Sequence, residues 1–251
     1  MTPTLGKRLG CISVAVGSVR VIADIGTDHG LLPIAMLLDG QAEAAVACDI
    51  RPGPLDSARR NAERYGVSDR MEFLLTDGFH GVERFAPDAV VISGMGGELI
   101  ARIISEAPYL RGDVRLFLQP MTRAESLRAY LSESGFAVAA EHIAQEGERL
   151  YSVIEARYTG DGDSYSGAQL LVGKPELHSD PLLLAQLALR TAERLDRKKH
   201  GLLASLHADA CVRVSAECSE LDGITDELRE LIGGLEHPNN LDSAGAEYEC
   251  L

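Results

Sequence analysis

The chain has 251 residues, 45% of them hydrophobic and 25% charged, which excludes a disordered chain and predicts one principal domain with a smaller appendage. No apolar run approaches the ~20 residues that span a bilayer, no leader pattern opens the chain, and five cysteines without C-x-x-C spacing support neither a disulfide framework nor a zinc site; a cytoplasmic, metal-free protein is expected. A net charge of −14 excludes a general nucleic-acid coat, although residues 1–160 hold 16 Lys and Arg against 21 Asp and Glu and the remainder 8 against 17, leaving room for a local basic face on the first part.

Leu5, Leu9, Ile12 and Val16 fall at helical spacing and Gly17 closes the stretch, so an amphipathic helix leads the chain. Short apolar runs at 20–25, 43–48, 71–75, 88–93 and 114–119 then alternate with helical stretches at 31–39, 53–65, 97–107 and 123–133. That alternation predicts βαβ units and a parallel sheet. From Phe136 the pattern changes: strand-like runs at 136–140 and 151–156 flank the polar residues 145–149 with no helix between them, which predicts a terminal hairpin. An α/β fold whose mostly parallel sheet ends in an antiparallel hairpin has the shape of a Rossmann-like class I S-adenosylmethionine-dependent methyltransferase core. A plain dinucleotide-binding domain more often continues with another helix–strand unit.

Residues 159–169 are polar and glycine-rich and read as a linker, which divides the chain into a first domain over 1–160 and a helical, coiled-coil-like domain over 161–240. Asp180 before Pro181 is a helix start, and the helix it opens is expected to reach about Asp209. Leu221, Ile224, Leu228, Leu231 and Leu235 form the seam of a second helix, closed by Gly233-Gly234 and His237-Pro238-Asn239-Asn240. This C-terminal helical hairpin is followed by an acidic tail over 241–251 that reads as disordered.

In such a fold the ligand sits outside the carboxyl ends of the strands. The first strand runs into Ala23-Asp24-Ile25-Gly26-Thr27-Asp28-His29-Gly30, where Gly26 and Gly30 let backbone approach a ligand and Asp28 stands where a dinucleotide fingerprint wants glycine. Asp28 and His29 are thus the acid/base candidates, His29 having the alternative of a hydrogen-bonded structural role. Asp49, followed by Ile50, is placed to accept both ribose hydroxyls of a nucleoside, the alternative being an ordinary cap. Asp77-Gly78 offers a carboxylate for the exocyclic amine of an adenine, or a simple turn. Ser93-Gly94-Met95-Gly96-Gly97 reads as a loop whose backbone meets a flat substrate or, at the helix start, a phosphate. Gln119, before Pro120, suits either a base edge or a structural link between loops. The run Arg197-Lys198-Lys199-His200 reads as a solvated face, with partner binding as the alternative.

Together these segments, with Pro33, Gly53-Pro54-Leu55, Leu118-Gln119-Pro120, Glu146, Tyr151 and Gly173-Lys174-Pro175, resemble the bacterial tRNA (adenine(22)-N1)-methyltransferase family over most of the chain. The resemblance implies S-adenosyl-L-methionine as methyl donor and tRNA as substrate, methylated at N1 of an adenine in the D-arm region. It implies Asp24, Gly26, Thr27, Gly30, Asp49, Ile50, Asp77, Gly78, Ser93 and Gly94 as cofactor contacts. On the substrate side it implies Met95, Gly96, Gly97, Gln119 and Pro120, with Asp28 and His29 at the chemistry. A polyanionic substrate also needs a positive face, for which Lys7, Arg8, Arg51, Arg59 and Arg60 are the candidates; a monomer or weak homodimer is expected. Two alternatives remain open to the residues alone: the same fold and cofactor acting on a small molecule or protein, and a non-catalytic cofactor-binding scaffold.

Overall fold

The computed structural model describes residues 2–204 and 211–235, with side chains at 211–213 left aside. The helix end expected near Asp209, the stop at residues 237–240 and the tail at 241–251 lie outside the described residues. The chain divides into two compact units, one ending at Ser164 and the other beginning at Tyr165.

The first unit opens with α1 (Lys7–Val16), followed by β1 (Val19–Ile25), α2 (Leu31–Leu38), β2 (Ala42–Asp49), α3 (Pro52–Tyr65), β3 (Met71–Leu75), β4 (Ala89–Gly96), α4 (Gly97–Ser105), β5 (Arg115–Thr122), α5 (Ala124–Glu133), β6 (Phe136–Glu146) and β7 (Arg149–Tyr158). One seven-stranded sheet runs in the order β3-β2-β1-β4-β5-β7-β6. The first five strands are parallel, and β7 lies antiparallel to both its neighbours. Chain order reverses at β1, whose neighbours are β2 and β4, and a doubly wound sheet opens its ligand crevice at such a point. The apolar runs are buried on both faces, as parallel strands require: residues 89–92 of β4 and 116–118 of β5 are fully covered.

Each predicted strand and helix of this unit is present, and the departures are at the carboxyl ends. β4 does not stop at Ser93; it continues as a bulged strand, pairing Ser93, Met95 and Gly96 with Gln119, Pro120 and Thr122 across two register shifts. Gly94, at φ 78, supplies the left-handed residue that absorbs the bulge. The expected loop is therefore held to β5 by strand pairing. The hairpin strands are also longer than their apolar cores, because Gly147 at φ 58 makes a two-residue turn that pairs Glu146 with Arg149.

A buried ion pair fastens α5 to the hairpin. Arg128 donates from Nε to Glu141 Oε1 at 3.0 Å and from Nη2 to Oε2 at 2.6 Å, both side chains being fully covered. Bidentate geometry compensates the desolvation of both charges.

The second unit holds α6 (Gly167–Val172), α7 (Pro181–Ala204) and α8 (Cys211–Leu235). A capping box between Ser166 and Gln169 starts α6 inside the stretch read as linker. Asp180 caps α7 through the Leu183 N–H at 2.9 Å, as expected. The seam buries Leu184, Ala188 and Leu195 of α7 with Leu221, Thr225 and Leu228 of α8, while Ile224 turns toward Gly167. Gly233 and Gly234 do not end α8, which runs through both to Leu235; each costs about 1 kcal/mol relative to alanine and the helix tolerates it. The basic run of α7 is engaged within the unit: Lys198 pairs with Glu217 at 2.8 Å and Lys199 with Asp222. Among the described residues no helix is long and apolar enough to cross a membrane.

Replacing one partner of the Arg128–Glu141 pair leaves the other charge buried without its counter-ion. Glu141→Leu is expected to lower the free energy of unfolding by about 3–5 kcal/mol, and the double change Arg128→Met with Glu141→Leu to recover most of it. Urea denaturation of the three proteins measures both, and a double variant no more stable than Glu141→Leu contradicts the account.

Candidate active site

The carboxyl ends of β3, β2, β1 and β4 meet in a cavity of about 560 Å³, within the range of small-ligand sites. Three acids stand in a row along it, Asp77 after β3, Asp49 ending β2 and Asp24 in β1. With strands about 4.8 Å apart, four neighbouring strand ends cover roughly 15 Å. The site is therefore an elongated groove.

Asp24 is 7% exposed and accepts the Thr27 hydroxyl at 2.6 Å. Burial pushes its carboxyl up to about 6, against the opposing pull of the Thr27 hydrogen bond and the Arg8 guanidinium; Asp49 adds to the rise. Asp49, also buried, accepts the Arg51 N–H on Oδ1 at 2.8 Å. Asp77 is half exposed and stands 3.9 Å from the Arg102 guanidinium of α4. The neighbouring Cys48 thiol faces the Gly78 carbonyl and is pushed by burial up to about 12, which keeps it a neutral packing group.

At the mouth, His29 Nε2 lies 3.3 Å from Asp28 Oδ2, the two side chains 54% and 73% exposed. The His29 carbonyl accepts from Asn61 Nδ2 of α3 at 2.9 Å, fixing the turn from behind. Gly30, at φ 67, begins α2, and a side chain there would press to 3.0 Å from Ala58. Gly26, at φ 75, has a further reason beside the expected one: a Cβ there would fall 2.0 Å from Met95 Cε. The glycine makes room for the methionine as well as for a ligand.

Thr27, Ile50, Gly78, Ser93, Gly94 and Met95 all line the cavity, as do Asp28 and His29. The remaining substrate-side candidates do not. Gly96 sits against Thr122, and Gly97 is buried, a Cβ there meeting the Arg123 carbonyl oxygen at 2.1 Å; its reason is close packing of α4 on the start of α5. Pro120 is covered within the sheet. Gln119 is fully buried, and of its two readings the structural link is the one present. Its Oε1 accepts Arg8 Nη1 at 2.8 Å and the Gly94 N–H at 3.1 Å, and Nε2 donates to the Pro120 carbonyl at 2.9 Å. Arg59 stacks on Phe73, 4.8 Å from the ring centroid, and donates to its carbonyl; Arg60 donates to Ser57 on the exposed side of α3. Neither lines the cavity.

Arg8 is the residue that sequence reasoning misplaced. Expected on an RNA-facing surface, it instead lines the cavity, its N–H donated to Glu146 Oε1 at 2.9 Å and its guanidinium held by Gln119. Helical periodicity places Arg8 beside the apolar Leu9 and carries no sign of where it points; its hydrogen bond to Gln119, distant in sequence, shows it. Leu99, Arg102 and Ile103 of α4 were likewise missed as lining residues.

The donor set fits S-adenosylmethionine. Carboxylates suit the adenine amine and ribose hydroxyls at one end, and a guanidinium beside a buried acid suits an amino-acid zwitterion at the other. Among the described residues no group of three His, Cys, Asp or Glu is placed to hold a metal.

Fold and groove together define a methyltransferase class, and a methyltransferase-domain family model matches residues 5–154. The tRNA (adenine(22)-N1)-methyltransferase of Bacillus subtilis (strain 168) is 36% identical over 171 residues, covering 67% of this chain and 71% of that protein. The crystal structure of the B. subtilis m1A22 tRNA methyltransferase TrmK superposes with a TM-score of 0.80 at 29% identity, over 91% of this chain and 99% of that one. Streptococcus pneumoniae Sp1610 in complex with S-adenosyl-L-methionine gives 0.73 at 26% identity, over 91% and 100%. The chain belongs to the tRNA (adenine(22)-N1)-methyltransferase family.

The raised value of Asp24 has a thermodynamic consequence. Its native value lies above the ~3.9 of an unfolded aspartate, so its contribution to stability is fully present below about pH 4 and lost as pH rises through about 6. Asp24→Asn is therefore expected to unfold about 2–3 kcal/mol harder than the unaltered ligand-free protein at pH 7, a difference that closes by pH ~4. Urea denaturation across that range reads it; a difference independent of pH contradicts the assignment.

Proposed function

We propose that this protein transfers a methyl group from S-adenosylmethionine to N1 of an adenine in tRNA, at position 22 in the D-arm region. The observation that carries the reading is the Asp28–His29 pair at the mouth of a groove with acids in a row along it and a fixed arginine in its wall. Asp77 would take the adenine amine of the cofactor, Asp49 its ribose, and Asp24 with Arg8 its ammonium and carboxylate. When bound, the cofactor supplies an electrophilic methyl group on a positively charged sulfur.

Adenine N1 carries an in-plane lone pair and attacks without prior deprotonation. The protein then has two tasks, to hold the base in line with the methyl group and to balance the positive charge that moves onto the purine. Asp28 serves the second. Its carboxylate is ready on the solvent side, and an RNA that covers it removes the water that weakens its field. The Nε2 of His29 restrains Asp28, and Asn61 restrains the His29 backbone. Met95 and the backbone of Gly94 support the base from the β4 side. The first unit carries this chemistry on our reading, with the helical unit as a separate domain.

Radiolabelled methyl transfer to unmodified tRNA, followed by nucleoside analysis, tests the reaction: 1-methyladenosine supports it, while label in protein or small molecule, or cofactor binding without turnover, overturns it. Within that assay Asp28→Asn is expected to lower kcat by about 10²-fold, in line with removal of one preorganised electrostatic group, with cofactor affinity retained. Near-normal turnover removes Asp28 from the chemistry.

A further inference from the structure

The proposed reaction needs a cation for the RNA backbone close to the base-accepting end of the groove, and several arginines of the first unit are committed elsewhere. Arg8 is held by Gln119, and Arg115 is bonded to Glu155 and to the carbonyls of Ala15 and Val16. Arg128 is buried against Glu141, and Arg70 donates to the Leu37 carbonyl. Arg51 and Arg102 at the cavity are looser, and so is Arg123. Its side chain is 63% exposed, and its contacts to Glu98 and Glu125 are long, 3.9 and 3.7 Å. Exposed pairs of this kind are weak and readily exchanged.

Its backbone is also unusual. Arg123 holds φ 58 and ψ 40, a left-handed conformation that the described residues otherwise give, outside glycine, only to Ala86. Two features fix it there. The Arg123 carbonyl accepts the Leu127 N–H at 3.3 Å, and it approaches Gly97 so closely that a Cβ on residue 97 would meet it at 2.1 Å. A glycine at 123 would suit this backbone at no steric cost; an unfavourable conformation kept in place by its surroundings is a pointer to function. The position completes the argument. Gly96 pairs with Thr122, so Arg123 follows directly on the strand pairing that carries Met95 and Gly94 into the cavity wall.

We propose that Arg123 grips an RNA phosphate beside the target adenosine, exchanging its loose contacts with Glu98 and Glu125 for a bidentate one. The guanidinium fork matches phosphate oxygens, and the weak contacts to the two glutamates are readily given up to them. This rests on the tRNA reading above, and binding is measured apart from turnover so that the two are judged separately.

Arg123→Gly keeps the backbone and removes the cation. Filter binding to unmodified tRNA across a salt series is expected to show affinity about tenfold weaker, with the slope of log K against log salt smaller by about one. Cofactor affinity by calorimetry and the thermal midpoint should stay close to those of the unaltered protein. Glu98→Gln removes a competing acid and should tighten tRNA binding two- to threefold. Wild-type affinity and salt slope in Arg123→Gly overturn the proposal whatever the turnover, since a merely structural arginine moves neither. Absence of 1-methyladenosine from the unaltered protein would instead count against the reaction.

Discussion

One carboxamide oxygen sets the geometry of the groove. Gln119 Oε1 is buried beyond reach of water and accepts two donors, the Arg8 guanidinium from α1 and the Gly94 N–H from the β4 bulge. Leaving either donor without a partner in a buried setting costs about 1–3 kcal/mol, so three elements distant in sequence are held to one arrangement. Glu146 at the hairpin tip restrains the same helix through the Arg8 N–H. The cation in the cavity wall is thus placed by the sheet end, the bulge and the hairpin together, and the hairpin that distinguishes this fold from a plain dinucleotide domain takes part in the site.

The charges of the groove are arranged at a cost to the empty protein. Asp24 is kept from water, with its carboxyl raised to about 6 mainly by burial, and Asp49 lies on the next strand. Arg8 offsets part of this and Thr27 another part. A site that has already removed water from its acid has less solvent to displace when an ammonium group arrives, which is the usual relation between local instability and preorganised binding. The exposed pair at the mouth follows the opposite logic. Asp28 and His29 remain wet, and their electrostatic strength depends on what covers them.

The parts of this molecule legible from sequence are those written in short-range pattern. Apolar runs bounded by turns located all seven strands, and an acid or glycine at the ends of β1 to β4 pointed to the cavity, because a doubly wound sheet brings carboxyl ends to one edge. Long-range register was not legible. The bulge that pairs residues 95 and 96 with β5 depends on Gly94 finding Gln119, and nothing local distinguishes that segment from a free loop. For the same reason Gly97 looked like a ligand-facing glycine when it is a close-packing one, and Arg8 like a surface cation when it is a half-buried one in the cavity wall. The basic run on α7 looked available because its partners, Glu217 and Asp222, lie on a helix some twenty residues away.

An acidic chain with an anionic substrate is less paradoxical once its cations are sorted by commitment rather than counted. Net charge governs long-range attraction, which salt screens beyond about 10 Å, whereas binding depends on the few cations that meet phosphate directly. In the second unit Lys198, Lys199 and Arg229 are paired with acids across the α7–α8 seam, so they stabilise that hairpin against its own negative charge. In the first unit the guanidinium groups of Arg115 and Arg128 are spent on structure. Arg51 and Arg102 line the cavity and are more than half exposed. On the reading proposed above, a binding face made of a few such residues next to the groove favours a phosphate where an adenine can also reach the methyl group. On that reading the surrounding negative charge disfavours RNA elsewhere on the surface, and selectivity follows from where the exposed cations lie, with no need for an excess of them.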